Sequence, residues 1–235
     1  MAIYKIYSEE IYPYYKKEIE FLLKARNAEQ DKELNIPINL NIILACACYT
    51  EGFLESSLKN IVKSYREVFN SIDIEEFSKR KPMNIFFNSI EKDLNTRISQ
   101  CMGIEKYDSL IQLLLNDSFR KDERMKPLIE PLIVLFQLRN VISHGREVNA
   151  TEYSSYKTNN LFEEYFYGGY KKAEEFLLKN KIIDKKFIES KDVSVFFSDQ
   201  VADYFVTVTK DFTKILSLFI SGRIEKIKSD NILLT

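Results

Sequence analysis

The sequence predicts an all-α protein, a helical bundle with a variable insertion before its last helix. Three observations predict it. Glycine and proline are scarce, 6 and 5 of 235 residues, whereas β domains turn often on those two residues. Apolar residues recur at three- and four-residue spacing through most of the chain. Four of the prolines fall where such spacing begins, near the first turn of a helix, where no backbone N–H is required. A chain of this length buries most of the surface that its unfolded form exposes, so it folds without disulfides or a structural metal.

The first helix is expected from about Ser8 to Glu33, with Ile11, Tyr14, Tyr15, Ile19, Leu22 and Leu23 as its apolar stripe and Pro13 near its start. Pro37 opens a second helix to about Phe69. Its middle, Ile42 to Cys48, is apolar all round, which marks a buried helix. A short helix follows from Ser71 to Lys79. Pro82 opens another, in which Ile85, Phe86, Ile90, Leu94 and Ile98 keep the helical period. Beyond Gly103, Tyr107 to Leu115 reads as a helix, and Pro127 to His144 as the next, stopped by Gly145. Residues 146–196 form the insertion. Within it, Leu161 to Tyr167 and Tyr170 to Asn180 read as helical, and Lys181 to Val195 stays open between a small β-hairpin and irregular chain. Ser198 begins a last helix from Asp199 to about Ser221. The β-branched run Val206-Thr207-Val208-Thr209 weakens it locally. The expected organisation is a single domain, 1–235, with its core at about 36–145 and 198–221.

Composition limits function. The net charge is -1, so the chain carries no bulk basic footprint of the kind that nucleic-acid binding often leaves. The basic clusters Lys79-Arg80-Lys81, Arg120-Lys121, Lys171-Lys172 and Lys185-Lys186 read as solvated helix ends. Cys46, Cys48 and Cys101 suit neither a disulfide framework nor, with a single histidine, a closed zinc site. They read as small core residues. No metal or other cofactor is expected. The chain contains no P-loop, dinucleotide fingerprint, His-Glu-x-x-His or Gly-x-Ser-x-Gly pattern. The first residues show no signal-peptide pattern. The runs Asn41 to Tyr49 and Pro131 to Leu138 fall short of the ~20 apolar residues of a membrane span. A cytoplasmic location without membrane association is therefore expected.

The helix from Pro127 carries the chemistry. At about 100° per residue, with Gln137 at 0°, His144 falls near 340°, Asn140 near 300°, Ser143 near 240° and Arg139 near 200°. Val141, Leu138 and Ile142 fall between about 40° and 140°. Upstream, Leu132, Ile133 and Phe136 occupy the angles that later become polar. The helix thus enters a core on all sides and opens one face at its end. His144 is the only histidine, and imidazole is the side chain that exchanges protons near neutral pH. Arg139 offers a planar fork that matches a phosphate. The pair suits phosphodiester cleavage in RNA, which brings its own nucleophile, the 2′-hydroxyl. Spacing alone leaves a structural alternative open. A histidine near a helix C-terminus is favoured by the helix dipole, and an Arg and an Asn on one face can bond carbonyls or water.

Arg139-Asn140-x-x-x-His144 resembles the Arg-x4–6-His motif of the HEPN superfamily, including the polar residue that often follows the Arg. The resemblance covers mainly residues 36–145. It implies a HEPN-like bundle pairing into a two-fold dimer, with both Arg139 and both His144 around one cleft. It implies a metal-independent endoribonuclease that cleaves by 2′-hydroxyl attack, and a toxin or antiviral defence effector restrained by an antitoxin or regulatory protein. Arg139 would hold the scissile phosphate, His144 would act as general acid or base, and Asn140 would orient one of them. Ser143 and Glu51 are supporting candidates, Glu51 as a carboxylate that holds Arg139. Glu51 and Glu55, one turn apart, read first as a solvent-facing pair. Tyr153, Tyr156, Tyr165, Tyr167 and Tyr170 offer rings for unpaired bases, or for a core. The alternative function is a non-catalytic HEPN-like module that binds a protein partner or RNA.

Overall fold

The computed structural model describes residues 12–71, 85, 88–90, 92–94, 96–97, 103–143, 172–186 and 193–232. The protein is all-α, with no strand among the described residues. The helices are α1 (Tyr12–Ala28), α2 (Asn35–Ser71), α3 (Ile104–Leu115), α4 (Lys126–Ser143), α5 (172–179) and α6 (Asp199–Ile232). The described residues between 85 and 97 (85, 88–90, 92–94 and 96–97) are all α-helical. The expected helix at 161–167 lies outside the described residues, as does that at 71–79 apart from Ser71, which belongs to α2.

Local side chains set several helix ends. α1 stops at Ala28, before the expected Glu33. There the Glu29 carboxylate accepts from the backbone N–H of Gln30 and Asp31, each at 2.9 Å, and Asp31 accepts from Glu33 at 2.9 Å. Such side-chain acceptors compete with the helical ladder, and a single 3-10 turn, Lys32–Leu34, intervenes before α2. Pro37 lies in the first turn of α2, where its missing N–H costs nothing. Gly103, with φ +99°, precedes α3, and Asn116, with φ 52°, ends it in the left-handed conformation. The open question at 181–195 resolves, for its described part, as a turn after Lys181 and a 3-10 segment at Val193–Phe197. α6 runs eleven residues beyond the expected Ser221. Its β-branched run stays helical because Val206, Val208 and Thr209 are buried. Burial of that kind outweighs a propensity difference of a few tenths of a kcal/mol per residue.

The contacts group the chain into two compact units. The first takes residues 1–50 and 128–211 and holds α1, the first part of α2, most of α4, α5 and the start of α6. Its core includes Ile42, Ile43, Cys46, Leu132, Leu135 and Phe205, each fully buried. A buried polar knot joins three of its helices. Arg26, at the end of α1, donates to Asn39 Oδ1 at 3.0 Å and to Asp203 Oδ1 at 2.5 Å. Asn39 donates in turn to the Phe197 carbonyl at 2.9 Å and to Asp199 Oδ1 at 2.7 Å. The start of α6 is therefore fixed by side chains of α1 and α2.

The second unit takes residues 51–127 and 212–235. Its core includes Leu54, Leu58, Ile61, Tyr107, Ile111 and Phe119. Phe119 meets Phe212 edge-on, with ring centroids 5.9 Å apart. The buried Asp108 carboxylate accepts from Ser118 Oγ at 2.7 Å and from the Arg120 backbone N–H at 3.3 Å, which ties the turn at 118–121 to α3. Arg223 and Asp117 form an ion pair.

Uninterrupted apolar runs understate α2. The stretch Lys32–Glu67 is long and apolar enough, by length and composition, to cross a membrane, and 39% of its most apolar window is buried inside the protein.

Candidate functional site

α4 begins as a core helix. Leu132, Leu135 and Leu138 are fully buried, and Phe136 is 5% exposed. From Arg139 onward the burial breaks. Arg139, Asn140, Val141 and Ile142 are half-buried, and Ser143 is exposed. The helix therefore leaves its core over its last described turn, where Arg139, Asn140 and Ser143 lie. Pro131, inside the helix, removes only the N–H that would reach Pro127, in the first turn.

Arg139 and Asn140 are brought together. Arg139 Nε donates to Asn140 Oδ1 at 3.1 Å. The guanidinium carbon lies 5.2 Å from the centre of the Phe136 ring, one turn back along α4. Helical side chains lean towards the N-terminus, and a guanidinium over a ring gains a cation–π attraction of ~0.5–1 kcal/mol at an exposed site. Arg139 engages further partners as well. The fork is thus anchored at Nε and on one face of its plane. Such an anchor orients a cation at low entropic cost, as a phosphate-holding group requires.

His144 lies outside the described residues, as do all five clustered tyrosines. Glu51 and Glu55 belong to the second unit, both half-buried. Glu51 is engaged in interactions of its own. The Tyr107 hydroxyl donates to Glu55 Oε1 at 3.4 Å, so Glu55 is held by a ring of its own unit.

Two polar features escaped the sequence reading. Gln137 Oε1 on α4 is buried and has no hydrogen-bond partner. By helical geometry it shares the angular sector of Asn140, three residues on. The second feature is the Arg26 knot. It borders a cavity of about 650 Å³ lined in part by Asn35, Asn39, Ile183, Phe197 and Asp199. The Arg26 fork is consumed by Asn39, Asp203 and the Asp199 carbonyl. With its donors so engaged, the knot reads as architecture. Its one signal in the sequence was a pair of asparagines, Asn35 and Asn39, one turn apart at the start of an apolar helix.

Cys46 is a fully buried core residue. Burial pushes the Cys46 thiol up to about 12, against smaller opposing effects of Thr209 and Lys210. Only a thiolate attacks, so Cys46 is inert near neutral pH. Among the described residues no group of three or more His, Cys, Asp or Glu side chains is placed to hold a metal ion. No family model, curated protein or solved structure matches the chain.

Proposed function

We propose that the chain is a HEPN-type endoribonuclease that cleaves RNA without a metal and acts as a homodimer. The observation that carries the reading is the end of α4. A core helix opens over its last turn, with an anchored guanidinium and a neighbouring amide immediately before Ser143-His144.

In the proposed reaction, one His144 takes the proton of the ribose 2′-hydroxyl as its oxygen attacks the adjacent phosphorus. The 5′-oxygen leaves with a proton supplied by the second copy's imidazole. The products are a 2′,3′-cyclic phosphate and a 5′-hydroxyl. Arg139 neutralises the charge that builds on the non-bridging oxygens, and Asn140 keeps its fork in register. Ser143, exposed beside them, is a further hydrogen-bond partner for the phosphate. Glu51 is not assigned to this site. A toxin or defence effector in the cytoplasm, restrained by a protein partner, fits an enzyme of this chemistry.

Purified protein is expected to cut single-stranded RNA in excess chelator and to leave cyclic phosphate ends. His144→Ala should lower the rate by on the order of 10²–10⁴-fold, the usual worth of a general acid or base, with unchanged helicity. Undiminished cutting by that variant excludes the mechanism. A second reading, a non-catalytic RNA- or protein-binding module, draws on the backward lean of Arg139 over Phe136. It predicts tight binding of RNA or a partner and no cyclic phosphate ends from any RNA.

A further inference from the structure

We propose that the outward face of α1 is a binding track for single-stranded RNA. This rests on the reading of the chain as RNA-directed and adds a recognition surface distinct from the α4 motif. With Tyr14 at 0°, Lys17 falls near 300°, Phe21 near 340° and Lys24 near 280°, at about 100° per residue. The buried residues of α1, Ile19 and Arg26, fall near 140° and 120°, on the opposite side. The outer face therefore reads ring, cation, ring, cation along one line. The rings stand open to solvent: Tyr14 is 56% exposed and Phe21 69%. Lys17 and Lys24 are exposed too. Lys17 Nζ lies 5.6 Å from the centre of the Tyr14 ring, so cation and ring already form one unit.

The chemistry of that line selects its occupant. A single strand alternates flat bases with phosphates. Aromatic side chains take the former by stacking and lysines take the latter. Stacking tolerates any base, so the track carries affinity rather than sequence choice. An acidic peptide offers charges but few flat rings. A bilayer surface calls for a wide apolar face. Here Glu18, near 40°, and Glu20, near 240°, rim the stripe on either side, so an anionic membrane would meet two carboxylates. A narrow strand lies between them.

The test measures binding apart from cutting. Full-length protein carrying His144→Ala is titrated into a short, unstructured, fluorescein-labelled RNA, followed by anisotropy at two salt concentrations. Replacing both rings, Tyr14→Ala with Phe21→Ala, should weaken binding by roughly 30-fold or more, the scale of two lost base stacks. Tyr14→Phe, which keeps the ring, should bind as the parent does. Lys17→Gln with Lys24→Gln should weaken binding and reduce the salt slope by about 1.4, the change expected for two single-strand phosphate contacts. Equal affinity of the ring variant and the parent overturns the track, as does absence of RNA binding by the parent. Ring-dependent binding to phosphatidylglycerol vesicles in place of RNA overturns it in favour of a membrane. A ring-dependent change in sedimenting mass, without RNA binding, overturns it in favour of a second copy. Binding that needs the rings, in a protein that never cuts, removes the nuclease reading and keeps the track. Cutting by the His144-intact protein, together with a silent ring variant, does the reverse.

Discussion

Arg26 and Arg139 stand near the ends of two helices of the same unit, and the protein uses them in opposite ways. Arg26 is 7% exposed, and its fork is spent on Asn39, the Asp199 carbonyl and Asp203. Arg139 is half-buried on a helix that is leaving its core, and it is anchored through Nε and one face of its plane. A buried guanidinium whose acceptors come from two other helices is a fastener. Arg139 leans along its own helix onto Phe136 and stays only half-buried. The difference teaches that an arginine's role follows from its burial and from the reach of its contacts, and its neighbours in sequence do not reveal that.

The largest expected effect breaks the fastener. Arg26→Ala leaves Asn39 Oδ1 buried without its donor, at about 1–3 kcal/mol, and removes an ion pair whose partner Asp203 is 56% exposed and so adds at most about 1 kcal/mol. A loss of roughly 2–4 kcal/mol should lower the melting temperature by roughly 5–15 °C, read by circular dichroism. Arg139→Ala is the counterpart. It should lower RNA cleavage by on the order of 10²-fold or more and lower the melting temperature less than Arg26→Ala does, because Arg139 is only half-buried. A melting-temperature loss as large as that of Arg26→Ala would make Arg139 a second fastener and erase the contrast.

A pH-dependent effect sharpens the picture of the same unit's core. The Cys46 thiol is held up to about 12, chiefly by burial. In the unfolded chain it ionises near 9, the ordinary value. Between those limits the folded state keeps a proton that the unfolded state has lost, so stability falls as pH rises, by up to about 1.4 kcal/mol per pH unit. Below pH 9 the thiol contributes no slope. Burial also raises Tyr65 and Tyr204, which adds the same sign. Melting temperatures should decline from pH 9 upward, and less steeply in Cys46→Ala. Equal slopes in the two proteins would remove Cys46 as the source.

What the sequence disclosed follows from the range of the forces. α2, α3 and α4 were legible to within about three residues at each end that the structure describes. Pro37 and Pro127 mark starts, and helical spacing fills the rest. The early end of α1 was not legible, because it depends on the Glu29 and Asp31 side chains outbidding the ladder. The adjacency of Arg139 and Asn140 was visible. The lean of Arg139 onto Phe136 was overlooked, although the three-residue spacing and the direction of helical side chains contain it. The Arg26 knot joins residues 13 to 177 positions apart, and no local pattern encodes such pairings. The outer stripe of α1 was hidden for another reason. Tyr14 had been counted with the core, and only its exposure separates it from Ile19.

The smallest effect compares the two ends of α6. Its start is fixed by the Arg26 knot, and a break there is expensive. Past Ser221 the helix continues with half-buried residues such as Arg223 and Ile224 and with exposed ones, among them Gly222. A methyl group added at Gly222 would meet nothing within 4 Å. Glycine in an exposed helix interior costs about 0.5–1 kcal/mol relative to alanine, through the entropy of its unfolded chain. Gly222→Ala should therefore raise the melting temperature by roughly 1–4 °C and leave RNA cleavage unchanged. A neutral result would mean that the turn around Gly222 is frayed in solution, so that its backbone gains nothing from restriction. A loss of stability would mean that the backbone there is not helical, and the continuous α6 would have to be divided at the position the sequence first suggested.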